Sequence, residues 1–199
     1  LLFDLGGVIL DLDLQATRKI FYELGLPAVL MQYPENMQTD LFQRYEIGKI
    51  TTKEFRDEIR QKSGLNLKDT DIDRAWTAML VGIPEERTRK LEELRKHYRL
   101  YMLSNTCAMH VPVFEAMYKQ KAGKSMHEVF DKIYYSHEIG AHKPDHESWE
   151  FVLKDAGIRA EETLFLDDNV HNVKAALELG FQAIRIHEKM GMMDLGFDL

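Results

Sequence analysis

Cysteine occurs once in the 199 residues, at Cys107, so no disulfide can form within the chain and no thiolate cluster can bind zinc. Long runs of one charge are missing too: 26 Lys and Arg stand against 33 Asp and Glu, for a formal net charge of −7. That balance lacks the basic footprint of a nucleic-acid binder and fits a small polar partner. No apolar stretch approaches the roughly 18 residues that span a bilayer, and the start carries no cationic leader. A reducing cytoplasm is the expected setting, with no membrane partner. The apolar fraction of 45% and charged fraction of 30% are those of a folded globular protein and exclude disorder. The abrupt opening Leu1-Leu2-Phe3 predicts that a starting Met and further strand residues precede it.

Leu1-Leu2-Phe3-Asp4 reads as a buried strand that stops at Gly6-Gly7, where glycines allow a tight bend close to a ligand. From 14 to about 82 the pattern becomes helical, with no good strand. Ile20, Phe21 and Leu24 recur at helix spacing and stop at Gly25 and Pro27. A second helix is expected over 39–45. A third, N-capped by Thr52, carries Phe55 and Ile59 and stops at Gly64. A fourth, over 69–80, includes Ile72, Ala75, Trp76 and Met79. Four helices without strands predict an all-helical cap over 14–82, inserted after the first strand. Residues 1–13 and 83–199 are then the catalytic core.

Within that core, 85–98 is a charged helix with acidic residues first and basic residues last, as a helix dipole favours. Strands are expected over 100–103, 132–135, 163–166 and 183–186, and helices over 109–119, 147–155 and 170–179. Gly157 and Gly180 close the last two helices. This alternation predicts an α/β fold, a Rossmann-like parallel sheet flanked by helices.

Four islands fall in order along the chain: Asp4 before Gly6-Gly7, Ser104-Asn105-Thr106, Lys143-Pro144 and Asp167-Asp168-Asn169. Three of them end short apolar runs, which is where open parallel sheets place ligand-binding groups. Each has a plain structural reading by itself: a turn for Asp4, a helix cap for Ser104 or Asn105, a surface position for Lys143. Asn105 and Thr106 are expected to start a helix whose free amides favour an anion. Pro144 is expected to start the next helix. Asp168 or Asn169 could cap the helix from Val170, which leaves Asp167 unexplained. Two adjacent carboxylates repel one another unless a cation neutralises them. Together, the islands suit magnesium-assisted phosphoryl transfer through an aspartyl intermediate. His137, His142 and His146 surround Lys143 with no spacing that a metal site requires.

A nucleophile Asp after a strand, then Ser, then Lys, then an acidic pair, resembles the haloacid dehalogenase-like hydrolase superfamily over essentially the whole chain. The resemblance implies Asp4 as the nucleophile and a ligand of Mg2+, and the Gly6 carbonyl as a second metal oxygen. Asp168 is implied as a direct ligand, with Asp167 and Asn172 holding metal-bound waters. Ser104 and Lys143 are implied to grip the phosphoryl oxygens, with Asn105 nearby. Asp11 matches an acidic position just before the cap, read as a hinge or helix start. Most phosphatases of this superfamily carry an acid two positions after the nucleophile, where this chain has Gly6. Bacterial α-glucose-1-phosphate phosphatases and the phosphatase domain of soluble epoxide hydrolase form the subgroup that the motifs resemble most. Gly occurs at that position among its bacterial members, which leaves the acid to a water or to a cap residue. The stretch Tyr45-Glu46-Ile47-Gly48-Lys49-Ile50 is similar to a Glu-x-Gly-x-Ile segment of that subgroup's caps and marks Arg44, Glu46 and Trp76 as candidate specificity residues, against a plain reading of Trp76 as cap core and of Arg44 and Glu46 as solvated. The expected function is a magnesium-dependent phosphatase of a small phosphorylated metabolite, with a hexose phosphate as the narrower expectation. The alternatives are a metal-independent 2-haloacid dehalogenase and a non-catalytic binder of a phosphorylated ligand. Oligomeric state leaves no trace in the sequence.

Overall fold

Alternate residues of short buried strands feed two separate cores, one on each face of a sheet. The computed structural model describes residues 1–27 and 40–197. In chain order the strands are β1 (Leu2–Phe3), β2 (Asp11–Leu12), β3 (Leu80–Gly82), β4 (Tyr101–Ser104), β5 (Lys132–Tyr135), β6 (Leu164–Asp167) and β7 (Gln182–Arg185). The helices are α1 (Leu14–Glu23), α2 (Asp40–Glu46), α3 (Thr52–Ser63), α4 (Asp69–Thr77) and α5 (Glu85–Leu94), followed by α6 (Val111–Ala122), α7 (Ser136–Ile139), α8 (His146–Ala156) and α9 (Val170–Glu178). Five strands pair in the order β5-β4-β1-β6-β7, all parallel. Leu2, Tyr101, Leu103, Tyr134 and Phe165 pack with Trp149 and Val152 of α8 and with Ala175 and Ala176 of α9. On the other face Phe3, Met102, Tyr135 and Leu166 join Leu91 and Leu94 of α5 and Phe114 and Tyr118 of α6. The strand order turns back at β1, so the carboxyl ends of β1, β4 and β6 meet at the crevice where such sheets bind ligands.

Between β2 and β3 the chain forms α1 to α4, joined by an aromatic cluster. Trp76 stacks on Phe42 with ring centroids 5.0 Å apart and also meets Phe21 and Phe55. Helix α1 starts at Asp13, whose carboxylate accepts from the amides of Gln15 and Ala16. The expected N-cap Thr52 is already helical: Thr51 caps α3 in a reciprocal box with Glu54, and Gly64 closes the helix at φ +69°. The second expected helix began at Thr39, outside the described residues; α2 is described from Asp40 to Glu46. Among the described residues, no helix is long and apolar enough to cross a membrane.

The largest departure from expectation is at the end of α4, which stops at Thr77 rather than 80. Leu80–Gly82 instead pairs antiparallel with Asp11–Leu12. This two-stranded ribbon joins the segments expected as core and cap where the chain leaves the sheet and returns. Asp11 therefore belongs to a strand and pairs with Arg87 at 2.8 Å, while the helix-start role falls to Asp13. Helix α6 begins at Val111 and α8 at His146, so neither Asn105-Thr106 nor Pro144 starts a helix.

Candidate active site

The amide of Asp4 donates to the Leu166 carbonyl at 2.8 Å, which ties the residue after β1 to β6. Residues 5–10 then wind around the Leu5 carbonyl, which accepts from the amides of Ile9 and Leu10 at 2.9 and 2.8 Å. Leu5, Val8, Ile9 and Leu10 are buried by this turn. Gly7 sits at φ +70°, and a Cβ there would lie 2.4 Å from Asp168 Oδ2. Only glycine allows both the turn and the approach of Asp168.

Lys143 is the pivot of the site. Its Nζ donates to Asp4 Oδ1 and to Asp167 Oδ2, each at 2.7 Å, and its side chain is almost wholly buried. Asp167 is saturated: Oδ1 also accepts from the Asn169 amide at 2.8 Å, and Asn172 Nδ2 reaches both carboxylate oxygens at 3.1 and 3.0 Å. Burial works against the Lys143 charge, but Asp167 and Asp4 hold its ammonium above the ordinary lysine value. Burial outweighs Lys143 at Asp4, whose carboxyl is pushed up to about 7, with Asp167 adding to the rise. Desolvation and the neighbouring Asp167 also push Asp168 upward. Oxygens of Asp4, Asp167 and Asp168 all lie within 4.8 Å of one another. Ser104, also buried, ends β4 beside them.

This geometry coincides with a close likeness to known proteins. The family model described as haloacid dehalogenase-like hydrolase matches residues 1–186. A D-ribitol-5-phosphate phosphatase of Bacteroides thetaiotaomicron is 32% identical over 185 residues, covering 93% of this chain and 90% of that protein. Among solved structures, a HAD family enzyme of Bacteroides thetaiotaomicron in complex with magnesium and inorganic phosphate superposes with a TM-score of 0.87 at 36% identity, covering 96% of this chain and 95% of that one. A predicted HAD-like hydrolase of Porphyromonas gingivalis gives 0.85 at 31% identity, over 92% and 88% of the two chains. The chain belongs to the haloacid dehalogenase-like hydrolases.

Within this hydrolase the expected site residues have unequal roles. Asp4, Ser104, Lys143, Asp167, Asp168 and Asn172 come together at one sheet edge. Asn105, expected near the phosphoryl group, lines a cavity with Gly6 and Ser104; its Oδ1 accepts from the Lys143 amide at 2.9 Å and its Nδ2 donates to the Lys143 carbonyl at 2.7 Å. It clamps the lysine's backbone. Of the two amides expected to favour an anion, that of Thr106 is taken, because it donates to Ser136 Oγ at 2.8 Å. Asn169 caps α9 through the His171 amide, which leaves Asp168 free to face Gly7.

The hydrolase's cap candidates separate as well. Trp76 is fully buried in the aromatic cluster, its Nε1 donating to Cys107 Sγ at 3.3 Å, so it serves as packing among the cap helices. Arg44 pairs with Glu58 at 2.7 Å within the cap. Glu46 alone of the three lines a cavity of about 80 Å³ together with Leu5, Gly6, Leu12, Ser104 and His110. The histidines form no cluster: His137 stacks on Tyr135, His142 Nε2 lies 3.1 Å from Gln43 Nε2, and His146 lies 3.8 Å from Glu178.

Two participants had no signal in the sequence. Ser136, wholly buried, bonds through one hydroxyl to the Thr106 amide and to the Glu46 carbonyl, the latter at 2.6 Å. Gln43 reaches His142 from the cap. Both link residues about 90 or more positions apart, beyond any local pattern.

The donor set fits a hard divalent cation. Among the described residues three carboxylates gather at the Lys143 ammonium, and oxygen donors of this kind suit Mg2+. The buried Asn172 Oδ1 has no hydrogen-bond partner among the described residues and can accept from a metal-bound water.

Proposed function

We propose that this hydrolase is a magnesium-dependent phosphatase of small phosphorylated polyols or sugars in the cytoplasm. A hexose phosphate, the narrower expectation, falls within that class. The observation that carries the reading is the cluster of Asp4, Asp167 and Asp168 around Lys143. A dehalogenase that works without metal has no use for so many carboxylates at one point. The name of the ribitol-phosphate relative and the magnesium and phosphate bound in the similar structure support the same class.

The Asp4 carboxylate is the nucleophile: one oxygen attacks phosphorus while the ester P–O bond breaks, giving an aspartyl phosphate that water then hydrolyses. Lys143 neutralises charge on Asp4 and on the transferred phosphoryl oxygens, from a fixed position set by Asn105 and Asp167. Ser104 donates to a phosphoryl oxygen from the end of β4. Asp4, Asp168 and the Gly6 carbonyl would hold Mg2+, with Asp167 and Asn172 behind them, and the ion supplies Lewis-acid stabilisation of phosphoryl charge. Closure of the cap over bound substrate would exclude bulk water.

The test is phosphate release across a panel of polyol, sugar and nucleotide phosphates, with and without Mg2+. Turnover of polyol or sugar phosphates that stops on chelation and in Asp4→Asn is the expected result. Halide release from 2-haloacids that survives chelation would overturn the reading.

A further inference from the structure

We infer that Glu46, reaching in from the cap, is the proton-transfer residue of this site; the inference rests on the phosphatase reading. Expulsion of a polyol or sugar alkoxide is slow unless the departing oxygen receives a proton. Gly6 has no side chain to give one. In the first step the Asp4 oxygen bonds to phosphorus, the P–O bond to the leaving group breaks, and the Glu46 carboxyl proton passes to the leaving oxygen. In the second step the Glu46 carboxylate takes a proton from water as that water's oxygen bonds to phosphorus and the Asp4–phosphorus bond breaks. Glu46 ends protonated, as it began.

Lys143, Asp167 and Asp168 are built into the metal and phosphoryl side of the site. Lys143 Nζ is held by Asp4 and Asp167, and Asp167 accepts from three residues at full burial. Asp168 faces Gly7 on the metal side. His110 lines the same cavity, but its Nε2 lies 3.1 Å from the Trp76 carbonyl and its ring stacks on Trp76 at 5.3 Å. Glu46 is only 3% exposed and shares the cavity with Gly6 and Ser104. A cavity of about 80 Å³ admits the first atoms of a leaving group or a water.

The cap is pinned to α7 and to the loop before α8 on both sides of Glu46. The Glu46 carbonyl accepts from Ser136 Oγ at 2.6 Å. Two residues on, Gly48 at φ +68° packs so tightly that a Cβ would lie 2.1 Å from the His137 carbonyl oxygen. Before it, Gln43 meets His142 at 3.1 Å. The docked cap thus delivers Glu46, which ties proton supply to closure over substrate.

The experiment compares ribitol 5-phosphate with 4-nitrophenyl phosphate, whose leaving group needs no acid, in wild type and Glu46→Gln with Mg2+. We expect Glu46→Gln to release about one nitrophenolate per site in a burst and then turn over about 100-fold more slowly than wild type, as the aspartyl phosphate accumulates. Ribitol phosphate should give no burst and lose at least tenfold more. Glu46→Gln turnover within threefold of wild type on both substrates, or an equal loss on both without a burst, overturns the inference. Should the variant not fold, phosphoenzyme formation by wild type is measured over phosphates of graded leaving-group pKa: near-independence is expected, and a steep dependence overturns it. Wild type that releases phosphate from neither substrate overturns the phosphatase reading, and this inference with it.

Discussion

Asn105 holds Lys143 through a reciprocal pair of hydrogen bonds, 2.9 Å from the lysine amide to Oδ1 and 2.7 Å from Nδ2 to the lysine carbonyl. The side chain makes no use of charge. It fixes the backbone from which a buried ammonium reaches two carboxylates. Asn105→Ala should therefore cost about 2 kcal/mol of stability for two lost bonds and about 100-fold in kcat through displacement of Lys143. Asn105→Gln should not rescue kcat, since one added methylene moves the amide out of register. Urea unfolding and steady-state phosphate release on the same preparations check both.

Removing the ammonium itself has a larger effect. In Lys143→Ala, Asp4 and Asp167 are left as buried carboxylates without a counter-charge, and breaking such a pair costs about 3–5 kcal/mol. Part of that loss should return when Mg2+ is added, because the cation supplies the missing positive charge. Thermal unfolding with and without Mg2+ measures the recovery, and a recovery no larger than that of wild type argues against a cation at Asp4.

Gly7 and Gly64 share nearly the same positive φ, at 70° and 69°, but differ in their surroundings. A Cβ on Gly64 meets nothing within 4 Å, whereas one on Gly7 strikes Asp168 Oδ2 at 2.4 Å. Gly64→Ala should cost only the left-handed strain, about 1–2 kcal/mol. Gly7→Ala should add displacement of Asp168, seen as Mg2+ affinity weakened at least tenfold by calorimetry. Equal Mg2+ affinity in the two variants would detach Asp168 from the metal site.

Much of this was legible from the chain. The parallel sheet announces itself through short apolar runs alternating with helices, each strand lying within about one residue of its expected span. Asp4, Lys143 and the acidic pair follow the carboxyl ends of those runs. What the sequence hid depends on contacts across long separations. The Leu80–Gly82 strand reads as the tail of α4 because only its pairing with Asp11–Leu12 gives it extended form. Asn105 reads as a cap or a phosphate donor because its partner is 38 residues away. Trp76 reads from the sequence either as cap core or as a specificity residue, and Phe21, Phe42 and Phe55, distant in the chain, place it in the core.

His110 makes stability depend on pH away from the carboxylates. Burial between Trp76 and the cavity wall holds its imidazole down to about 4, against an ordinary value of 6.5. Between those values the unfolded chain binds a proton that the folded chain refuses, so stability is full above about 6.5 and is lost as pH falls toward about 4. The gap corresponds to about 3 kcal/mol. In His110→Gln, which keeps a neutral donor for the Trp76 carbonyl, this component should vanish. Unfolding free energies from pH 4 to 7, taken as wild type minus variant, isolate it from other titrating groups.

Gly6 can be given the acid it lacks. A Cβ there meets Leu12 Cδ1 at 2.7 Å, but Leu12 is 41% exposed on the ribbon, and the clashing atom is the end of a flexible side chain. Gly6 also lies outside the positive-φ glycines, so a side chain adds no left-handed strain. Gly6→Asp should fold with a stability loss of about 1 kcal/mol or less once Leu12 swings outward. Placed in a Glu46→Gln background, the new carboxyl belongs to a residue that lines the same cavity and should restore at least tenfold of the lost turnover of ribitol 5-phosphate. Leu12→Ala added to the pair should raise it further by clearing the space. Full folding of the double variant by circular dichroism with no gain in turnover would show that a carboxyl from residue 6 does not reach the leaving oxygen in this site.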